Sequence, residues 1–73
     1  MKIVNGWLFT NQLWRDAEPT PVAIKLDNIQ FIGESFNDKM GIYTEIGMNG
    51  HKIAIEGETA EVISELYNHM SNN

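Results

Sequence analysis

Seventy-three residues with no cysteine exclude a disulfide framework and thiolate metal sites, and ten carboxylates against five basic side chains, a net charge of −5, argue against generic nucleic-acid binding. A chain this short buries only about 60% of the surface its unfolded form exposes, so its core is marginal and a homodimer is one way to support it. No apolar run approaches the roughly 18 residues of a membrane span, the opening Met1-Lys2-Ile3 is not expected to act as a signal peptide, and the expected compartment is the cytoplasm.

The first segment is rich in aromatics. Residues 4–14 hold Trp7, Leu8, Phe9, Leu13 and Trp14, interrupted by Gly6 and Asn11, and read as one strand near residues 3–10. On a strand Trp7 and Phe9 share a face. A small domain needs large core side chains, which directs that face inward. The competing reading is an exposed interface, since Trp is enriched at binding hot spots. It makes Trp7, Trp14, Arg15 and Tyr43 the candidate partner-binding residues, with Trp14 foremost because it borders a loop. That loop is residues 15–21, whose Pro19 and Pro21 cannot donate to a ladder.

Antiparallel strands are expected over residues 22–56. Val22, Ile24 and Leu26 alternate with polar or small residues, and then Ile29 and Phe31 are apolar at odd positions. The change of phase places a tight turn or bulge at residues 26–29. Residues 37–41 form a polar hairpin loop ending in Gly41. Asn49-Gly50 suits a two-residue type I′ turn, in which both central residues need positive φ. Pairing Met48 with His51 then sets Ile42, Thr44, Ile46, Met48, Ile53 and Ile55 on one face, and Tyr43, Glu45, Lys52, Ala54 and Glu56 on the other.

The last element is a helix over residues 58–70. Val62, Ile63, Leu66, Tyr67 and Met70 make one apolar stripe at three- and four-residue spacing. The stripe is expected to cover the face of Ile46, Ile53 and Ile55. Glu58 and Glu61 suit the positive end of the helix dipole, and Gly57 or Thr59 could cap it. Residues 71–73 are expected as a tail. The fold expected is α+β, an antiparallel sheet of four to five strands packed on one C-terminal helix in the order β-β-β-β-β-α, within a single domain spanning residues 1–73.

Catalytic chemistry finds few parts. No serine comes with a base at a recognisable spacing. His51 reads as a sheet-end residue and His69 as a helix C-terminal residue that complements the dipole. Glu65 and His69 are four apart, yet two ligands are too few for a metal. Gly41, Gly47 and Gly50 lack the strand–loop–helix order of a phosphate cradle, and the carboxylates lack the spacing of an EF-hand loop. No enzyme activity, metal or cofactor is expected.

Ile24-Lys25-Leu26-Asp27-Asn28-Ile29-Gln30-Phe31-Ile32, a polar turn, residues 42–46, Asn49-Gly50-His51-Lys52-Ile53 and the helix opening at Glu61-Val62 resemble the small flagellar FlbD-like proteins. More loosely, they resemble the DNA-binding LytTR domain and small proteins of phages and other mobile elements. The resemblance covers about two-thirds of the chain. It implies the sheet-plus-helix fold. FlbD-like proteins lack the aromatic N-terminal segment, and LytTR domains carry basic loops that this acidic chain does not match. The function expected is a small non-enzymatic interaction or regulatory module with a protein partner, and the resemblance implies a phage or mobile-element origin. The alternatives are a LytTR-like nucleic-acid-binding domain and an oligomer that binds a small ligand or nucleotide.

Overall fold

A computed structural model describes residues 1–71. They form β1 (Lys2–Val4), β2 (Trp7–Gln12), β3 (Thr20–Lys25), a 3-10 turn (Leu26–Asn28), β4 (Phe31–Asp38), β5 (Gly41–Met48), β6 (His51–Glu56) and α1 (Thr59–Ser71). The fold is α+β, an antiparallel sheet with one C-terminal helix, and the sheet has six strands rather than four or five.

The extra strand comes from a second Asn-Gly turn. Asn5 and Gly6 sit at φ 50° and 82°, and Asn49 and Gly50 at 49° and 83°. Both pairs have the positive φ values of a type I′ turn. The single strand expected near residues 3–10 is therefore a hairpin, with Val4 opposite Trp7 and Lys2 opposite Phe9. The proline loop is also shorter than expected, because β3 begins at Thr20 and pairs Pro21 with Asn11. Pro21 is tolerated there because β3 pairs only with β2 and lies at the sheet edge.

Thr44 faces Ile55 and Ile46 faces Ile53 across β5 and β6, the register set by Asn49-Gly50. The hairpin between β4 and β5 is tighter than a five-residue loop. Asp38 pairs with Gly41, and Asp38 Oδ1 accepts from the Met40 amide at 2.9 Å. The phase change at residues 26–29 is the 3-10 turn. A second irregularity, a bulge between Ile32 and Ser35, lets Ile32 and Ser35 both face the helix side. Gly47 sits opposite Phe31, and a Cβ at this position would collide with the Phe31 ring. The missing side chain thus makes room for an aromatic on the neighbouring strand.

The sheet runs β1-β2-β6-β5-β4, with β3 on the far side of β2. The edge of β2 away from β3 is shared: β1 takes residues 7–9, and β6 joins only at Gln12–Ile55. The Leu13 amide extends this seam by donating to the Ala54 carbonyl at 2.9 Å. One core spans the seam, with Leu8, Ile24, Ile46, Ile55 and Val62 buried together. Each such side chain contributes about 1.5–3 kcal/mol by leaving water.

The helix stripe divides. Val62 is fully buried and Leu66 packs beside it, whereas Ile63, Tyr67 and Met70 are exposed. Successive helical residues are 100° apart, so the ridge of Ile63, Tyr67 and Met70 stands to one side of the ridge that touches the sheet. The expectation that all five cover Ile46, Ile53 and Ile55 is corrected accordingly. The capping differs too. Glu58 accepts from the Glu61 and Val62 amides and precedes the helix, while Ser35 Oγ accepts from the Thr59 amide at 2.6 Å. Of the tail expected at residues 71–73, Ser71 closes the helix and the last two residues lie outside the described ones.

Candidate functional site

Strand alternation decides where the aromatics go. On β2, Leu8 and Thr10 are buried and Trp7 and Phe9 are 42% and 46% exposed. The inward placement of Trp7 and Phe9 is therefore corrected. Trp7, Phe9 and Val4 stand on the outer face of the sheet, opposite the helix. The cause is the register: Leu8 pairs with Ile3 on one side and Ile24 on the other, and these aliphatic side chains fill the helix-facing side. A one-residue slip would exchange the two sets.

The outer face has two halves of different character. Around Trp7 and Phe9 the cross-strand neighbours are Lys25 and Lys2, with Val4 and Ala23 between. Toward β4–β6 the outward positions include Tyr43, Asp38, Glu45 and Glu56, with Lys52 the one basic residue among the paired outward positions there. Asn11 joins the halves by donating from Nδ2 to Glu56 Oε1 at 2.9 Å.

The four candidate residues do not form one site. Trp7 belongs to the open half. Trp14 is 44% exposed, and its indole donates to Thr20 Oγ1 at 2.9 Å, which ties the start of the proline loop to its end. Arg15 lines a shallow depression with Asp16, Asp38, Lys39 and Met40 at the β4–β5 turn. Tyr43 is 8% exposed, stacks on Phe36 with ring centroids 5.4 Å apart and donates to Asp38 Oδ2 at 2.8 Å. A side chain so enclosed offers little surface to a partner. Residues that sequence reasoning missed are Phe9, Val4, Lys2 and Lys25. The repeated Asn-Gly dipeptide is the signal for Val4, Phe9 and Lys2, because it fixes the register of β1 on β2, whereas Lys25 is placed only by the pairing of β3 with β2.

The Asp38–Tyr43 contact perturbs both groups. The Met40 amide, then the Tyr43 hydroxyl, holds the Asp38 carboxyl below its ordinary range. The same bond to Asp38 raises the Tyr43 phenol. Both shifts make Asp38 a weaker base and Tyr43 a weaker acid, as expected of a hydrogen bond that favours the carboxylate and the protonated phenol together.

A second concavity of about 580 Å³ opens at the C-terminal end of α1, between Leu66, Met70, Leu26, Ile29 and Phe31. Asp27 and His69 stand among its lining. Among the described residues no three His, Asp or Glu side chains are grouped to hold a metal ion. No described helix is long and apolar enough to cross a membrane. The chain has no significant match among family models, curated proteins or solved structures.

Proposed function

We propose that this protein is a small non-enzymatic interaction module of the cytoplasm, a regulator or accessory factor that docks a partner protein on the outer face of β1–β3. One observation carries the reading: Val4, Trp7 and Phe9 are 39%, 42% and 46% exposed on the same open strand surface. Large apolar side chains grouped on a surface mark interaction sites more often than they occur by chance. Trp is also the residue most enriched at interface hot spots. The rest of the molecule supports a scaffold role, because the two perturbed titratable groups satisfy each other. A phage or mobile-element origin rests on the sequence resemblance alone.

Site-specific photo-crosslinking in the cells that make the protein tests the reading. A crosslinker replaces Phe9 in one variant and Glu61 in another. A discrete adduct from position 9 that is missing from position 61 supports docking on the sheet. An adduct of twice the chain mass identifies the partner as a second copy. No adduct from either position sinks the reading.

A further inference from the structure

The charge around the aromatic surface is the reverse of the charge on the whole molecule. The chain carries −5, yet its first carboxylate is Asp16, and Lys2 and Arg15 precede it. On β1, β2 and β3 no outward position is acidic, and two are lysines. Lys2 lies on β1 directly across from Phe9, and Lys25 lies on β3 directly across from Trp7. The two lysines thus flank the aromatic pair from the strands on either side of β2. The ten carboxylates lie off these outward positions: Asp16 and Glu18 in the loop after β2, Asp27 in the 3-10 turn that follows Lys25, Glu34 and Asp38 on β4, Glu45 and Glu56 on β5 and β6, and Glu58, Glu61 and Glu65 at or on the helix. Screening in physiological salt acts over about 8 Å, and the carboxylate at the border of the surface, Glu56, is engaged by Asn11, so a partner on this surface responds to the two lysines more than to the net charge of the whole molecule.

We infer that the outer face of β1–β3 binds an acidic peptide segment whose apolar side chains rest on Trp7, Phe9 and Val4 while its carboxylates meet Lys2 and Lys25. This rests on the docking surface proposed above and adds its chemistry. Two cations suit a segment with a few carboxylates. A nucleic acid needs several phosphates neutralised along its backbone, and on the adjoining half Asp38, Glu45 and Glu56 outnumber Lys52 and would repel it. Strand addition to the β3 edge is a poorer mode, since Pro21 lacks the amide a new strand would bond. The segment therefore lies on the face and is held by side chains.

Selection of short random displayed peptides on the immobilised protein tests the inference, with oligothymidine as the nucleic-acid probe. Two double variants accompany it, Trp7→Ser with Phe9→Ser and Lys2→Glu with Lys25→Glu. All four residues are exposed, so both variants are expected to keep the melting behaviour of the parent. Chemical-shift mapping of the selected peptides on the unaltered chain locates them even if a variant fails to fold. The expected result is enrichment of net-acidic peptides bearing aromatic or aliphatic residues, whose shifts centre on β1–β3. Their binding falls at least about tenfold in each double variant and weakens with salt. Neutral or basic peptides that still need Trp7 and Phe9 would overturn the acidic chemistry and leave the docking surface standing. Peptides bound equally by the Trp7–Phe9 variant, or no enrichment at all, would overturn both. Tighter binding of oligothymidine than of any peptide on the same strands would assign the surface to nucleic acid instead.

Discussion

Thr10 occupies a core position on β2 opposite Val22, only 7% exposed, and its Oγ1 has no hydrogen-bond partner among the described residues. Leaving a hydroxyl buried and unpaired costs about 1–3 kcal/mol. Thr10→Val keeps the branched shape and removes that cost. It is expected to stabilise the fold, and a gain of 1 kcal/mol in a domain of this size raises the melting midpoint by about 4–8 °C. Thermal unfolding followed by circular dichroism checks this, and an unchanged or lower midpoint refutes it. The Asp38–Tyr43 bond makes a prediction with a defined sign. Asp38 has a folded pKa below its unfolded value, so its contribution is complete above about pH 4 and is lost as pH falls through the folded pKa. Tyr43 has a folded pKa above its unfolded value, so its contribution is complete below about pH 10 and is lost as pH rises through the folded pKa. Tyr43→Phe removes the bond that both shifts share. Denaturant titrations across pH should show a shallower stability loss at both extremes, and parallel profiles for parent and variant would exclude the account.

The helix is anchored by hydroxyls at its start. Ser35 Oγ accepts from the Thr59 amide and donates to Thr59 Oγ1 at 2.9 Å, while Thr59 Oγ1 donates to the Gly33 carbonyl at 2.8 Å. Thr44 Oγ1 adds a bond to the Gly57 carbonyl at 2.8 Å. The first turn of a helix leaves amides without intrahelical partners, and here a side chain from the β4 bulge satisfies one of them. Ser35→Ala is expected to cost about 1 kcal/mol, the usual effect of losing an N-terminal cap. Chemical denaturation measures it, and amide exchange over Thr59–Ser71 should quicken more than over β5 and β6. Equal quickening everywhere would show that Ser35 supports the whole fold rather than the helix start. The sequence pattern around Glu58 and Glu61 pointed to this helix start, but a cap supplied across 24 residues leaves no local trace.

The whole molecule measures 38 × 22 × 20 Å, and its long sheet is joined at a narrow seam. Gln12–Ile55, the Leu13–Ala54 bond and the Asn11–Glu56 bond make the seam, while β5 and β6 pair along six positions. Local opening follows where backbone pairing is thinnest. Native-state hydrogen exchange should therefore find the slowest amides in β5 and β6, with β1 and β3 exchanging through a lower-energy opening. Uniform protection across all six strands would contradict this. The seam also brings the open aromatic half of the sheet beside the acidic half, which gives the outer face its two characters.

Local chemistry determined much of this protein. Asn49-Gly50 accepts positive φ at both turn positions, and period-two alternation then fixed the faces of β5 and β6 and their pairing. The phase break at residues 26–29 marked a turn, and Val62 with Leu66 marked a helix that covers the sheet. Asn5-Gly6 carried the same turn chemistry as Asn49-Gly50, so β1 and its register on β2 were also written locally. Tertiary structure decided the rest. Alternation places Trp7 and Phe9 together but does not say which side is inside; that depends on Leu8 meeting Ile3, Ile24 and the distant Ile46 and Ile55. The apolar stripe of the helix could not show that Ile63, Tyr67 and Met70 overhang the sheet, because the width of contact belongs to two elements at once. Nor could composition reveal a basic patch on an acidic chain. Lys2 and Lys25 stand 23 positions apart and become neighbours of one aromatic pair only when β1 and β3 close on either side of β2.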